Sequence, residues 1–154
     1  MKRAIGFLLT ILTVVALSSS AIADDTADSV LGLWHSTGDK CIIKIFKRDS
    51  TYCGEIVSLA KPNFPANDKL SMGGKPRIDR RNPDPALRNR PIAGLEFMTN
   101  FVYAGKNKWE GGKIYDPESG STYKSKMTLI STNQLEVRGY IGISLIGRTV
   151  TWTR

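Results

Sequence analysis

The sequence predicts an all-β fold, eight antiparallel strands wound up-and-down into a barrel, with one long proline-rich basic loop. Three observations carry this. Beyond residue 30 the large apolar residues recur at every second position in short runs rich in Ile, Val, Thr, Tyr and Phe, the period of a half-buried strand. The runs are joined by short turn sequences such as "KRDS", "AGKN" and "STNQ", which favour sequential antiparallel neighbours. No segment of that region carries a helical period long enough to compete.

The strand runs fall at 31–36, 41–47, 52–59, 94–103, 108–115, 121–130, 133–140 and 146–153. In "CIIKIFK", Cys41, Ile43 and Ile45 share one face and Lys44 lies on the other. "STYKSKMTLI" sets Tyr123, Met127 and Leu129 against Lys124 and Lys126, and "RTVTWTR" sets Val150 and Trp152 against Thr149, Thr151 and Thr153. One polar and one apolar face per strand is the pattern of an antiparallel sheet with a single buried side. Asp116-Pro117-Glu118-Ser119-Gly120 is the clearest turn, with proline presetting φ and glycine accepting a left-handed backbone. Eight strands close into a barrel just wide enough for one small ligand.

Residues 60–91 break the rhythm, holding six of the seven prolines and few large apolar residues. They cannot form a central strand and are expected to make a long ordered loop, of the kind that serves as a lid or binding loop. A helical turn is expected at "NPDPALRN", capped by Asn82 and begun by Pro83.

Residues 1–23 are expected to be a signal peptide: Lys2 and Arg3 precede an apolar run from Ala4 to Leu17, and Ala21-Ile22-Ala23 makes a small-x-small cleavage site. The apolar run is shorter than a membrane span of about 20 residues, so the mature chain, 24–154, is expected to be one domain without a transmembrane segment, periplasmic or secreted. Taking Lys2 and Arg3 from the 22 basic residues leaves 20 against 14 acidic ones, so the net charge falls from +8 to +6. In an exported protein that favours anionic cell-envelope components over nucleic acid as partners. Cys41 and Cys53 would reach an oxidising compartment. A hairpin centred near Asp49 places Cys41 opposite the region of Val57, which leaves a disulfide and two free thiols both open.

In a closed barrel the first and last strands are neighbours. Gly32-Leu33-Trp34 begins the first, and Arg148, Trp152 and Arg154 lie on the last. A guanidinium over the Trp34 indole, donating to backbone carbonyls at the barrel end, would seal the closure. The G-x-W of the first strand with a late arginine resembles the calycin superfamily, which includes the lipocalins. "VLGLW" (30–34), "CGEIV" (53–57), "RNPDPALRNRPIAG" (81–94), "WEGGKIYDPESGSTY" (109–123) and "VRGYIGISLIGRTVTWTR" (137–154) together resemble a family of small exported bacterial proteins of unknown function with a calycin-like barrel. The resemblance implies the lipocalin-like fold and no reaction. Members of that family often carry a second cysteine close before the one matching Cys53; here that stretch reads Lys47-Arg48-Asp49, so the family's disulfide does not transfer.

The candidate ligand contacts are the arginines of "IDRRNPDPALRNRP", namely Arg80, Arg81, Arg88 and Arg90, with Tyr115, Tyr123, Arg138 and Tyr140 on the strands. Arginine forks suit carboxylate or phosphate; the same arginines can instead pair with Asp79 and Asp84 and pin the loop down. The tyrosines suit either a partly polar cavity or an ordinary core. The bend "GYIGISLIG" (139–147) is a portal, a membrane-touching edge or an inward plug. His35 is the only histidine, which excludes a multi-histidine metal site and leaves a serine–histidine triad resting on one strand residue. No catalytic residue, metal or cofactor is assigned. Asp84 and Asp116 are the carboxylates on which an enzyme would depend. The expected function is binding of a small, partly apolar, anionic ligand as a carrier or sensor. The alternative is a packed barrel meeting a protein or polyanion through its basic surface.

Overall fold

Eight strands run in chain order around a closed barrel: β1 (Gly32–His35), β2 (Cys41–Arg48), β3 (Thr51–Leu59), β4 (Glu96–Gly105), β5 (Lys108–Asp116), β6 (Ser121–Ser131), β7 (Gln134–Tyr140) and β8 (Gly147–Thr153). The computed structural model describes residues 27–154; the expected signal peptide and its cleavage site lie outside the described residues. Every neighbouring pair is antiparallel, and β8 returns to β1 through His35 opposite Thr153. The strand ends differ from the sequence expectation by one or two residues, the usual scatter at frayed termini.

One end of the barrel is shut. A 3-10 turn, Ala27–Val30, crosses it, and the strands are tied to it by side chains the alternation points inward. Trp34 Nε1 donates to Val30 O at 2.9 Å, Trp109 Nε1 to Ala27 O at 3.1 Å, and the Tyr52 hydroxyl to Asp28 at 2.6 Å. The Arg154 guanidinium lies 4.2 Å from the Trp34 ring centroid and donates to Ser29 O, Leu31 O and Thr132 O. It thereby satisfies carbonyls that the ends of three elements would otherwise leave unpaired. Gly32 has φ +114° and faces Arg154, a backbone that a side chain would strain. Arg148, expected in the same closure, sits instead at the opposite end. Two residues per step along β8 carry the inward row from Trp152 through Val150 to Arg148, away from Arg154.

The shut half is filled by a core that includes Trp34, Ile43, Ile45, Met98, Phe101 and Trp109. Gly112 makes room for it: a Cβ there would lie 2.4 Å from the Phe101 ring, closer than carbon atoms can pack.

Residues 60–95 form an ordered loop rather than a ninth strand. Two short bridges, Asn63 with Pro76 and Ile78 with Pro91, fold it on itself. Phe64 is buried with the Arg77 and Arg80 guanidinium groups over its ring, and Ile92 and Leu95 pack on Ile56 of β3. The expected helical turn exists, two residues later than expected. Asp84, not Asn82, is the cap, its carboxylate accepting from Ala86 N–H, and the turn spans Pro85–Leu87. Asn82 is drawn inward instead, as described below.

Cys41 and Cys53 are free. A bulge between Ile42 and Ile43 shifts the hairpin so that Cys41 faces Leu59 rather than Val57, while Cys53 faces Phe46. Six residues of β3 therefore separate Cys53 from the position opposite Cys41, about 20 Å at strand rise, far beyond disulfide reach.

Candidate ligand cavity at the open end

The other end holds a recess of about 520 Å³, within the range of small-molecule sites. It exists because the mouth is filled on one side only. The long loop packs on β3 and on Tyr115 of β5 through Ile92 and Leu95, and none of its residues reaches over the part of the mouth that the recess occupies. The Phe97 and Trp152 rings, 6.3 Å apart and tilted, lie in its wall. Ile114, Val137 and Val150 add aliphatic surface. Trp152, Ile114, Val137 and Val150 are inward members of their strands, delivered by two-residue alternation, and Phe97 joins them at a register shift in which Glu96 and Met98 pair with successive residues of β3.

Gly139 lines the recess too. A Cβ there would meet only Tyr123 Cβ, at 3.8 Å, so the missing side chain is empty volume rather than a packing requirement. The polar side chains among its lining residues are Asp116, Tyr123, Tyr140 and Arg148. Asp116 is already engaged in its own turn, accepting from Ser119 Oγ at 2.7 Å and Glu118 N–H at 2.9 Å. The Arg148 guanidinium has no hydrogen bond or ion pair among the described residues, which leaves its fork available to a ligand.

The residues expected to bind ligand part company here. Tyr123 and Tyr140 line the recess. Arg138 points out of the barrel and donates to Ser144 O, Leu145 O and Thr149 Oγ1, holding the bend that rims the mouth. Arg80, Arg88 and Arg90 are engaged within the loop: Arg80 pairs with Asp68 at 2.9 Å, Arg88 Nε donates to Asn82 O, and Arg90 pairs with Asp79 at 2.8 Å. Arg81 is exposed beside the 116–120 turn, where its carbonyl lies so near Gly120 that a Cβ would sit 2.1 Å away. Tyr115 belongs to the same internal network. Asp79, fully buried, accepts from the Tyr115 hydroxyl at 2.6 Å, from Asn82 Nδ2 at 2.8 Å and from Arg90. Burial first, and then the Asp79 carboxylate beside it, push the Tyr115 hydroxyl up to about 12, so it stays a donor at any physiological pH. The only signal of this hub in the sequence is the close spacing of Asp79, Asn82 and Arg90, which does not reveal that Tyr115 joins them from a strand.

Asp84 and Asp116, the carboxylates an enzyme would need, are both occupied as turn caps on separate elements. His35 lies on exposed strand surface 3.4 Å from Asp39 and does not line the recess. Among the described residues no group of His, Cys, Asp and Glu is placed to hold a metal ion, and no helix is long and apolar enough to cross a membrane.

Residues 32–154 match the family described as "uncharacterized protein conserved in bacteria (DUF2147)". Among solved structures the chain is similar to protein HP1028 from Helicobacter pylori, described as belonging to the lipocalin family. The identity is 26%, the TM-score 0.67, and the match covers 80% of this chain and 81% of that one. No curated protein matches. A closed eight-stranded antiparallel barrel whose described residues hold only two short 3-10 turns besides the strands agrees with that lipocalin-like architecture.

Proposed function

This chain belongs to the DUF2147 family of bacterial proteins, and we infer that it is a carrier or sensor that holds a small, partly apolar, anionic molecule at the open end of its barrel. The observation that carries this reading is the recess of about 520 Å³ in an otherwise packed interior. Its walls are aromatic and aliphatic, which favours an apolar body. Arg148 and the Tyr123 hydroxyl at the mouth supply a cation and a donor for a carboxylate or phosphate end. In this reading the loop arginines shape the mouth without touching the ligand. The chain acts outside the cytoplasm, where a bound apolar molecule needs shelter from water.

Native mass spectrometry of the protein isolated from its cells, compared with the denatured and extracted sample, should show an added mass lost on denaturation. The anionic fluorophore anilinonaphthalene sulfonate should bind saturably, enhanced in emission. Gly139→Leu intrudes into the recess and should weaken that binding while the circular dichroism spectrum is kept; Arg148→Glu should weaken it about tenfold. Absence of an added mass, together with fluorophore binding unchanged by Gly139→Leu, would overturn the reading.

A further inference from the structure

Between β7 and β8 the chain turns through residues 141–146, and Ile141, Ile143, Leu145 and Ile146 are 60 to 83% exposed there. Ile141 and Ile146 border the recess without plugging it, and the bend is held in that place by its own hydrogen bonds. Ile141 N–H donates to Ile146 O and Ile146 N–H to Ile143 O. The Arg138 guanidinium donates to Ser144 O and Leu145 O. Backbone groups paired in this way can leave water at little cost.

Beneath the bend, the outer face of the sheet carries like charges opposite one another. Lys113 faces Lys124, Lys124 faces Tyr140 at the foot of the bend, and Lys126 faces Arg138. Facing like charges across a strand pair is unfavourable, and none of these three lysine side chains has an ion pair or hydrogen bond among the described residues. An apolar tip and an unneutralised cationic strip therefore adjoin on one side of the molecule.

We propose that this end docks on an anionic lipid surface, with the four aliphatic side chains entering the boundary between headgroups and acyl chains and Lys113, Lys124 and Lys126 lying against the headgroups. Charge complementarity selects this occupant. A second copy would bring its own lysines to the same place, and six residues offer too little area for a stable dimer. Ile141 and Ile146 also border the recess, whereas Ile143, Leu145 and the three lysines do not; vesicle binding requires no cargo, so variants at those residues let either reading fail without the other.

The test is cosedimentation of the chain from Asp24 with vesicles. That chain contains every strand and core residue described, and it lacks the apolar run 4–17, which would itself partition into lipid. Binding is expected to phosphatidylcholine vesicles containing phosphatidylglycerol, far less to phosphatidylcholine alone, and falling with salt. The exposed pair Ile143→Ser/Leu145→Ser and, independently, Lys113→Glu/Lys124→Glu should each weaken it about tenfold or more. No binding, equal binding to neutral vesicles, or wild-type binding by both variants would overturn the proposal. So would self-association of the protein abolished by the Ser pair, because the tip would then be covered by a second copy.

Discussion

Trp34 and Arg90 are two residues on which different parts of the molecule converge. Trp34 is fully buried, bonded to Val30 O and stacked by Arg154. Trp34→Ala should cost about 3–5 kcal/mol and lower the thermal midpoint by roughly 10 °C or more; a shift of a degree or two in a melting scan would refute the closure. Arg90→Met leaves the Asp79 carboxylate buried without its cation and should cost about 3 kcal/mol. Adding Asp79→Asn should recover part of that loss, as read from urea midpoints, because the orphaned charge is then gone. The sequence names Trp34 and a late arginine as partners but offers two arginines in register for the role. Only the barrel's geometry, which sends Arg148 to one end and Arg154 to the other, chooses between them.

Among the elements, the 3-10 turn Ala27–Val30 and the 60–95 loop depend on carboxylates. Hydrogen bonds from Lys47 and then Tyr52 hold Asp28 below the usual carboxylate range. Burial raises Asp68, but donation from Arg80 and from the N–H groups of Leu70 and Met72 outweighs it and holds that group low as well. Both folded values lie below the unfolded value of about 3.9. As pH falls the unfolded chain therefore binds protons first, and the stability these groups lend is full above about pH 4 and is lost as pH drops through the folded values. Tyr115 has the opposite sign. With its folded value raised to about 12 against about 10 unfolded, its contribution is full below about pH 10 and is lost as pH climbs through the folded value. Midpoints measured across pH should fall at both flanks. Tyr115→Phe should flatten the alkaline flank, and an unchanged flank in that variant would argue against the Asp79 hub. The strands were legible because β2, β6 and β8 alternate cleanly and the runs between them are bounded by turn residues, although β3, β4 and β5 carry register shifts that break the alternation. The hub was not, because Tyr115 meets Asp79 from 36 residues away and no local pattern encodes that meeting.

For the whole molecule, the barrel is packed at one end and hollow at the other, and two glycines report the difference. Gly112→Ala drives a methyl group into the Phe101 ring and should cost about 1–3 kcal/mol. Gly139→Leu points into empty space and should change stability by less than about 1 kcal/mol. Equal losses in chemical denaturation would mean that the open end is not open. The sequence by itself determined the number and order of strands, their antiparallel course, the interrupting loop and the identity of the inward rows, because alternation and turn chemistry are local properties of a chain. The tertiary structure decided which arginines are spent inside the loop and which one reaches the mouth. It also decided whether the apolar bend turns in or out, and which end of the barrel stays hollow. Those outcomes depend on the stagger of closed strands and on where a long loop comes to rest, and both are set by contacts between residues far apart in the chain.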